Sequence, residues 1–175
     1  MIKIAITGPE SSGKTTIAKY LSKYFKGEYV QEYSREYLNH FNYNYKPTID
    51  DLIEIANNQF LKNISLNCQK KYLICDTDMT VIKIWATDKF GYCPKPIEIL
   101  LKNQKFDIIF LCKPDMPWIY DPLRVDENRR EILFDFYQEE LQKSKSNFYI
   151  LEGCKSIRNI NAIKIIKSFD LTQIS

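Results

Sequence analysis

The chain has 175 residues, 45% of them apolar, which is the size of one ordinary domain with a sizeable core. Its 25 basic and 22 acidic residues are scattered and give a net charge of only +3, so nucleic acid is not an expected partner. One histidine and five cysteines without a C-x-x-C pair argue against a structural zinc site, and no apolar run is long enough for a membrane span or a signal sequence. We therefore predict a single cytoplasmic domain over residues 1–175.

Short apolar runs that are typical of buried strands alternate with helical patterns along the chain. The first run, Ile2 to Thr7, ends at Gly8, and residues 13–25 carry apolar side chains at helical spacing. Residues 48–51 can form a capping box for a long helix that we expect to end near Lys70. The other predicted strands are residues 29–31, 72–75, 108–112 and 148–151. This alternation predicts an α/β fold with an open, doubly wound sheet and functional residues at the strand ends.

A phosphate-binding loop follows the first predicted strand. Residues 8–15, Gly-Pro-Glu-Ser-Ser-Gly-Lys-Thr, match the motif G-x-x-x-x-G-K-[ST], and the helix that follows lets backbone N–H groups converge on a phosphate. We expect Lys14 to contact the β- and γ-phosphates of ATP and the Thr15 hydroxyl to ligate Mg²⁺. The predicted nucleotide site consists of Gly8, Glu10, Ser11, Ser12, Gly13, Lys14, Thr15 and Thr16.

Two further segments resemble motifs of GTP-binding switch proteins. Residues 88–91 fit D-x-x-G, and residues 113–115 fit the K-x-D pattern of guanine recognition. Only about two dozen residues separate them, which is too short for the strand and helices that must lie between such motifs. The spacing therefore argues against a GTPase.

Acidic residues follow the second and third predicted strands. Glu32 and Glu36 flank Arg35 after the second strand, and Asp76 ends the third. Glu32 and Asp76 are both candidate bases that could accept the proton of an acceptor hydroxyl, and Asp76 is also a candidate ligand for Mg²⁺ or its water. Each position has a structural alternative, since acidic residues often begin or cap a helix.

Arginines follow the fourth predicted strand. We predict a lid at about residues 118–130, in which Arg124 and Arg129 act in catalysis and Arg130 binds the nucleotide. Arginine suits this role because its guanidinium can neutralise charge on phosphate oxygens during transfer. The alternative for Arg129 and Arg130 is the exposed face of an amphipathic helix. Contacts with the base of the nucleotide are expected after the fifth strand, at residues 152–158, where an ordinary loop is the alternative.

Taken together, these segments resemble the ribosylnicotinamide kinase domain of the bacterial NadR proteins and their stand-alone relatives. The resemblance rests on residues 7–16, 32–37, 75–78, 114–118 and 121–124. It implies a single-domain P-loop kinase fold with a five-stranded parallel sheet flanked by helices, and phosphorylation of nicotinamide riboside (NR) to nicotinamide mononucleotide in NAD synthesis. Larger NadR proteins carry a DNA-binding and an adenylyltransferase domain before the kinase, and we expect those activities to be absent here.

The acceptor pocket is predicted from the same segments and from the chemistry of NR. The pyridinium ring of NR carries a permanent positive charge, which an aromatic face attracts, and Trp118 is a better candidate for this contact than Trp85, whose alternative is a core position. Other functions consistent with the motifs are a kinase for another nucleoside or small hydroxyl acceptor, and a P-loop NTPase or regulatory module. The predicted acceptor residues are Glu32, Arg35, Glu36, Asp78, Trp85, Trp118 and Asp121.

Overall fold

Five parallel strands form one sheet in the computed structural model, which describes residues 1–42, 44–64, 69–119 and 127–172. The strands are β1 (Ile2–Thr7), β2 (Glu28–Val30), β3 (Tyr72–Asp76), β4 (Ile108–Cys112) and β5 (Phe148–Leu151). Their order across the sheet is β2-β3-β1-β4-β5, and every neighbouring pair is parallel. The predicted parallel α/β sheet is therefore confirmed, and each strand begins within one residue of its predicted position.

Helices cover both faces of this sheet. They are α1 (Lys14–Tyr24), α2 (Tyr33–Leu38), α3 (Ile49–Ile64), α4 (Met79–Phe90), α5 (Lys95–Asn103), a 3₁₀ turn (Glu127–Arg129), α6 (Arg130–Lys143) and α7 (Lys155–Thr172). Ile4 of β1 packs in a core cluster with Leu21 of α1 and Ile166 of α7. The next residue, Ala5, packs in a second cluster with Leu133 of α6, because successive residues of a strand face opposite sides. Covering both faces buries every residue of β3 and β4.

A third core cluster joins α3, α4 and α5 beside the sheet. The capping box predicted for α3 is present, since the Thr48 N–H donates to Asp51 Oδ2 at 2.6 Å and the Asp51 N–H donates to Thr48 Oγ1 at 3.3 Å. The structure describes α3 to Ile64, and residues 69 and 70 are not helical, so the helix does not reach Lys70 as predicted. None of the described helices is both long and apolar enough to cross a membrane.

A buried arginine near the start of α7 joins three loops at one end of the sheet. The Arg158 guanidinium donates to the carbonyls of Gly153 at 2.8 Å, Ser12 at 2.6 Å and Lys113 at 2.7 Å, and it forms an ion pair with Asp115. Asp115 in turn accepts a hydrogen bond from the Gly153 N–H at 2.6 Å. Arg158 thus connects the phosphate loop to the segments that follow β4 and β5.

We expect Arg158→Lys to lower the free energy of unfolding by about 2–4 kcal/mol, because lysine keeps the charge but cannot reach all four acceptors with its single nitrogen. Denaturant unfolding followed by circular dichroism measures this change. Arg129→Lys is the matched control: its ion pair with Asp88 is 47% exposed at the arginine, against 3% at Arg158, and should contribute less than about 1 kcal/mol. Equal losses in the two variants would contradict a special role for Arg158.

Candidate functional site

The phosphate loop leaves β1 through a glycine that no other residue can replace without strain. Gly8 has φ +131°, and a Cβ placed on it would lie 2.7 Å from the Cys112 carbonyl oxygen of β4. Gly13, at φ +85°, ends the loop in a left-handed conformation directly before α1. Within the loop, the Ser12 hydroxyl donates to the Pro9 carbonyl at 2.8 Å. These constraints give the loop a defined backbone at the N-terminus of α1, where helix geometry favours an anion.

Lys14 and Thr15 begin α1 and face the end of β3. The Lys14 ammonium donates to the carbonyls of Gly8 at 2.8 Å and Pro9 at 2.7 Å, which holds it against the loop. Asp76 lies beside this loop because it pairs in register with Ile6, two residues before Gly8. Thr15 lies close enough to Asp76 to lower the pKa of that carboxyl. The structure therefore brings together the predicted phosphate-binding lysine and both predicted magnesium ligands.

Asp76 is held at one carboxylate oxygen. The Tyr29 hydroxyl donates to its Oδ2 at 2.9 Å, while its buried Oδ1 accepts no hydrogen bond from any described residue. Burial raises the pKa of Asp76 above its usual range and the charge of Glu32 adds to this, whereas Thr15 and the hydrogen bond from Tyr29 lower it. Burial and the Asp76 carboxylate raise the pKa of Tyr29, so its phenol remains a donor.

An oxygen ligand of this kind fits Mg²⁺, which prefers carboxylate, hydroxyl, phosphate and water oxygens. Thr15 would hold the ion through its hydroxyl, and Asp76 would hold it directly or through water. In the part of the chain that the structure describes, no group of three or more His, Cys, Asp or Glu could form a separate protein-only metal site.

Glu32 and Asp76 lie at the ends of neighbouring strands, so the two candidate bases are close enough for the charge of one to affect the pKa of the other. Glu32 occupies the N-cap position of α2, and its Oε1 accepts a hydrogen bond from the Ser34 hydroxyl at 2.5 Å. Arg35 Nε lies 3.9 Å from Glu32 Oε2. Glu36 pairs instead with Lys62 of α3 at 2.6 Å, and both side chains are exposed.

Asp78 and Trp85 occupy structural positions in α4 and its cap. Asp78 is fully buried and accepts hydrogen bonds from Thr7 at 2.8 Å, Thr80 at 2.6 Å and Gln104 at 3.2 Å. Trp85 is half-buried and packs against the core cluster of α3, α4 and α5. This packing agrees with the alternative interpretation, that Trp85 is a core residue. Their assignment to the acceptor stays a prediction, and these contacts do not favour it.

The segment after β4 lies against the phosphate loop. The Ile119 N–H donates to Ser11 Oγ at 3.0 Å, and Arg130 donates to the Met116 carbonyl at 3.0 Å with its guanidinium 5.5 Å from the centre of the Trp118 ring. Arg129 instead donates to Asp88 Oδ2 at 2.9 Å, near the end of α4. Arg124 and Asp121 lie outside the described residues, so the complete lid stays a prediction.

A shallow depression opens beside Gly13 at the start of α1. Besides Gly13 it is lined by Thr16, Ile17, Met116, Lys155, Arg158 and Asn159. Lys155 falls within residues 152–158, where we predicted base contacts, and Asn159 is the next residue. Those contacts themselves stay a prediction.

Three residues of this site were not identified from the sequence: Tyr29, Arg158 as a link between loops, and Asn159. Tyr29 carried a detectable signal, because it lies in a predicted strand three residues before Glu32. Arg158 carried none as a link, since Ser12, Lys113 and Asp115 are distant in the chain, and Asn159 carried none either.

Comparison with known proteins gives one family. The sequence profile of the AAA domain family matches residues 3–156. The trifunctional NAD biosynthesis/regulator protein NadR of Salmonella typhimurium is 26% identical over 125 residues, which are 69% of this chain and 30% of that protein. The chain thus spans under a third of the length of this curated relative.

Solved structures share the fold. A NadR protein in complex with NR has a TM-score of 0.76 at 23% identity, over 96% of this chain and 51% of that chain. A NadR protein in complex with NAD and AMP-PNP has a TM-score of 0.75 at 19% identity, over 96% and 49%. Deoxyadenosine kinase from M. mycoides has a TM-score of 0.67 at 18% identity, over 95% of this chain and 100% of that one. The P-loop kinase fold and the resemblance to NadR are confirmed: the chain belongs to the AAA domain family, and it is similar to the NadR proteins in both sequence and fold.

Proposed function

We propose that this chain is an ATP-dependent nucleoside kinase whose acceptor is NR, with nicotinamide mononucleotide as the product in NAD synthesis. The observation that carries this proposal is the juxtaposition of Lys14 and Thr15 of the phosphate loop with the carboxylates Asp76 and Glu32. This arrangement offers groups for both substrates of a phosphoryl transfer. The similarity to NadR proteins, one of them crystallised with NR and another with an ATP analogue, favours NR and ATP as those substrates.

In the proposed reaction, the backbone of the phosphate loop and Lys14 hold the β- and γ-phosphates. An acceptor hydroxyl attacks the γ-phosphorus, the bond to the leaving ADP oxygen breaks, and the hydroxyl proton passes to Glu32. Bound Mg²⁺ would supply charge neutralisation at the phosphate oxygens, with Thr15 and Asp76 as its protein partners. We assign the proton to Glu32 because Asp76 already accepts a hydrogen bond from Tyr29 and is the proposed partner of Mg²⁺.

Lys14→Ala should lower kcat/KM for acceptor phosphorylation at least 100-fold, because it removes the cation that neutralises the transferred group. ADP formation is measured with NR, uridine, deoxyadenosine or shikimate, and without any acceptor. Lys23→Ala, which removes an exposed lysine from the same helix, should keep full activity. ADP formation that is independent of every acceptor would indicate the alternative, a P-loop NTPase or regulatory module.

Asp76→Asn and Glu32→Gln should separate the metal partner from the base. We expect Asp76→Asn to raise the Mg²⁺ concentration for half-maximal activity by about 10-fold or more, since a neutral amide binds the hydrated ion less well. Glu32→Gln should lower kcat by about 100-fold or more and leave that concentration unchanged. Titrating activity with Mg²⁺ at saturating ATP and NR measures both values. The reverse pattern would assign the base to Asp76.

Trp118→Ala tests whether Trp118 contributes to binding of the acceptor or of the nucleotide. The sequence predicts that Trp118 contacts the pyridinium ring of NR. Loss of this contact would weaken the use of NR about 10-fold and leave the affinity for ATP nearly unchanged. The contact with Arg130 beside the phosphate loop changes our expectation: the KM for ATP should rise about threefold or more, with NR and uridine affected equally. Arg130→Ala should have a similar effect, and the two substitutions should not be additive. A rise in the KM for NR alone would instead support the predicted contact between Trp118 and the pyridinium ring.

A further inference from the structure

Two buried amide side chains of α3, which we call the amide bridge, connect the start of α2 to the end of β3. Gln59 Oε1 accepts a hydrogen bond from the Tyr33 N–H at 2.6 Å, and Gln59 Nε2 donates to Asn63 Oδ1 at 2.9 Å. Asn63 Nδ2 donates in turn to the Thr77 carbonyl at 3.3 Å. Gln59 is 0% exposed and Asn63 is 3% exposed, so the bridge lies inside the protein.

Each end of the amide bridge lies next to an acidic residue of the proposed reaction. Tyr33 directly follows Glu32, and Gln59 Nε2 makes a longer contact of 3.5 Å with the carbonyl of Gln31, on the other side of Glu32. The opposite end of the bridge bonds the carbonyl of the residue directly after Asp76. One helix thus contacts the backbone on both sides of the proposed base and directly after the proposed magnesium partner.

The sheet does not hold these two segments together at this point. The pairing of β2 with β3 ends with Val30 opposite Cys75, so the residues that follow lie beyond the ladder. Tyr33 is the first residue of α2, where backbone N–H groups have no partner within the helix. Thr77 has φ +118°, a conformation that persists only where its surroundings stabilise it. The amide bridge supplies hydrogen bonds where neither the sheet nor α2 provides them.

The direction of the amide bridge is fixed at both ends. A backbone N–H can only donate and a carbonyl can only accept, so Gln59 turns its oxygen to Tyr33 and Asn63 turns its nitrogen to Thr77. The remaining nitrogen of Gln59 and the remaining oxygen of Asn63 then meet as donor and acceptor. Replacing either amide by an apolar side chain would leave buried polar groups unpaired, which is costly.

We propose that Gln59 and Asn63 are positioning residues that set the place of Glu32 relative to Asp76 and the phosphate loop. Because both amides are buried, they act through the backbone and not by touching a substrate. Phosphoryl transfer depends on the alignment of its reacting groups, and a misplacement of about 1 Å can lower the rate roughly 100-fold. This inference rests on the proposed kinase and adds the residues that hold its base in place.

Gln59→Met tests this role, because methionine has a similar length but cannot accept a hydrogen bond from the Tyr33 N–H. With ATP, Mg²⁺ and the acceptor that gives the highest turnover, kcat should fall about 10-fold or more. The affinity for ATP with Mg²⁺, measured by titration calorimetry, should change less than about twofold, since the hydrogen bonds of Gln59 go to α2, α3 and the end of β2 and not to the phosphate loop.

A double variant separates positioning from a general loss of structure. If Gln59 acts through Glu32, Gln59→Met should lower kcat less than about threefold in the Glu32→Gln background, where the base is already absent. A role in stability alone would lower kcat by the same factor in both backgrounds.

Asn63→Ala, at the other end of the amide bridge, should have the same effects as Gln59→Met, and it decides the question if Gln59→Met does not fold. Asn57→Ala is the matched control, because Asn57 lies on the same helix and is exposed. This control should keep full activity.

Unchanged kcat in Gln59→Met and Asn63→Ala, an equal loss with and without Glu32, or a parallel loss of affinity for ATP would overturn the positioning role and leave the kinase proposal standing. Absence of acceptor-dependent ADP formation by the unsubstituted chain would overturn both.

Discussion

The Arg158 guanidinium makes the nucleotide end of this molecule one unit. Its acceptors come from the phosphate loop, from the segment after β4 and from the segment after β5, which would otherwise be three independent loops. Ordering a loop costs roughly 1–2 kcal/mol of backbone entropy per residue. A planar group that bonds all three in fixed directions offsets part of that cost during folding. The backbone groups that would receive a phosphate are then in place before any ligand arrives, which is the condition for electrostatic preorganisation.

A division of roles between two aspartates organises the other half of the site. Asp78 is fully buried and satisfied by Thr7, Thr80 and Gln104, so it ties the end of β1 to the start of α4. Asp76 keeps one oxygen without a partner among the described residues. Thr77 between them has φ +118°, an uncommon conformation for a β-branched residue, and its carbonyl accepts a hydrogen bond from Asn63 at 3.3 Å. A buried aspartate with three hydrogen bonds thus stands two residues from one whose second oxygen has no partner among the described residues.

The sequence predicted the features that depend on local pattern. The strands, the phosphate loop and the positions of Glu32 and Asp76 follow from apolar runs, glycine spacing and the polar residues that end each strand. It assigned Asp78 to the acceptor pocket, because the hydrogen bonds that Asp78 accepts from Thr7, Thr80 and Gln104 appear only in the tertiary structure. It also missed the link made by Arg158, whose contact with Ser12 spans 146 positions of the chain. For Trp118, the sequence suggested an aromatic face but not that Arg130 lies over it.

The kinds of acceptor that Arg158 uses have a consequence for sequence divergence. Three of its four partners are main-chain carbonyls, which every amino acid possesses. Substitutions at Lys113 therefore need not disturb the link as long as the backbone keeps its path. Only Asp115 contributes through its side chain. Position 153 favours glycine because of its φ of +83°, and not because of the hydrogen bond that its carbonyl accepts. Related chains could thus preserve this link with an arginine, a carboxylate and a glycine at these three positions, while the side chain at position 113 varies.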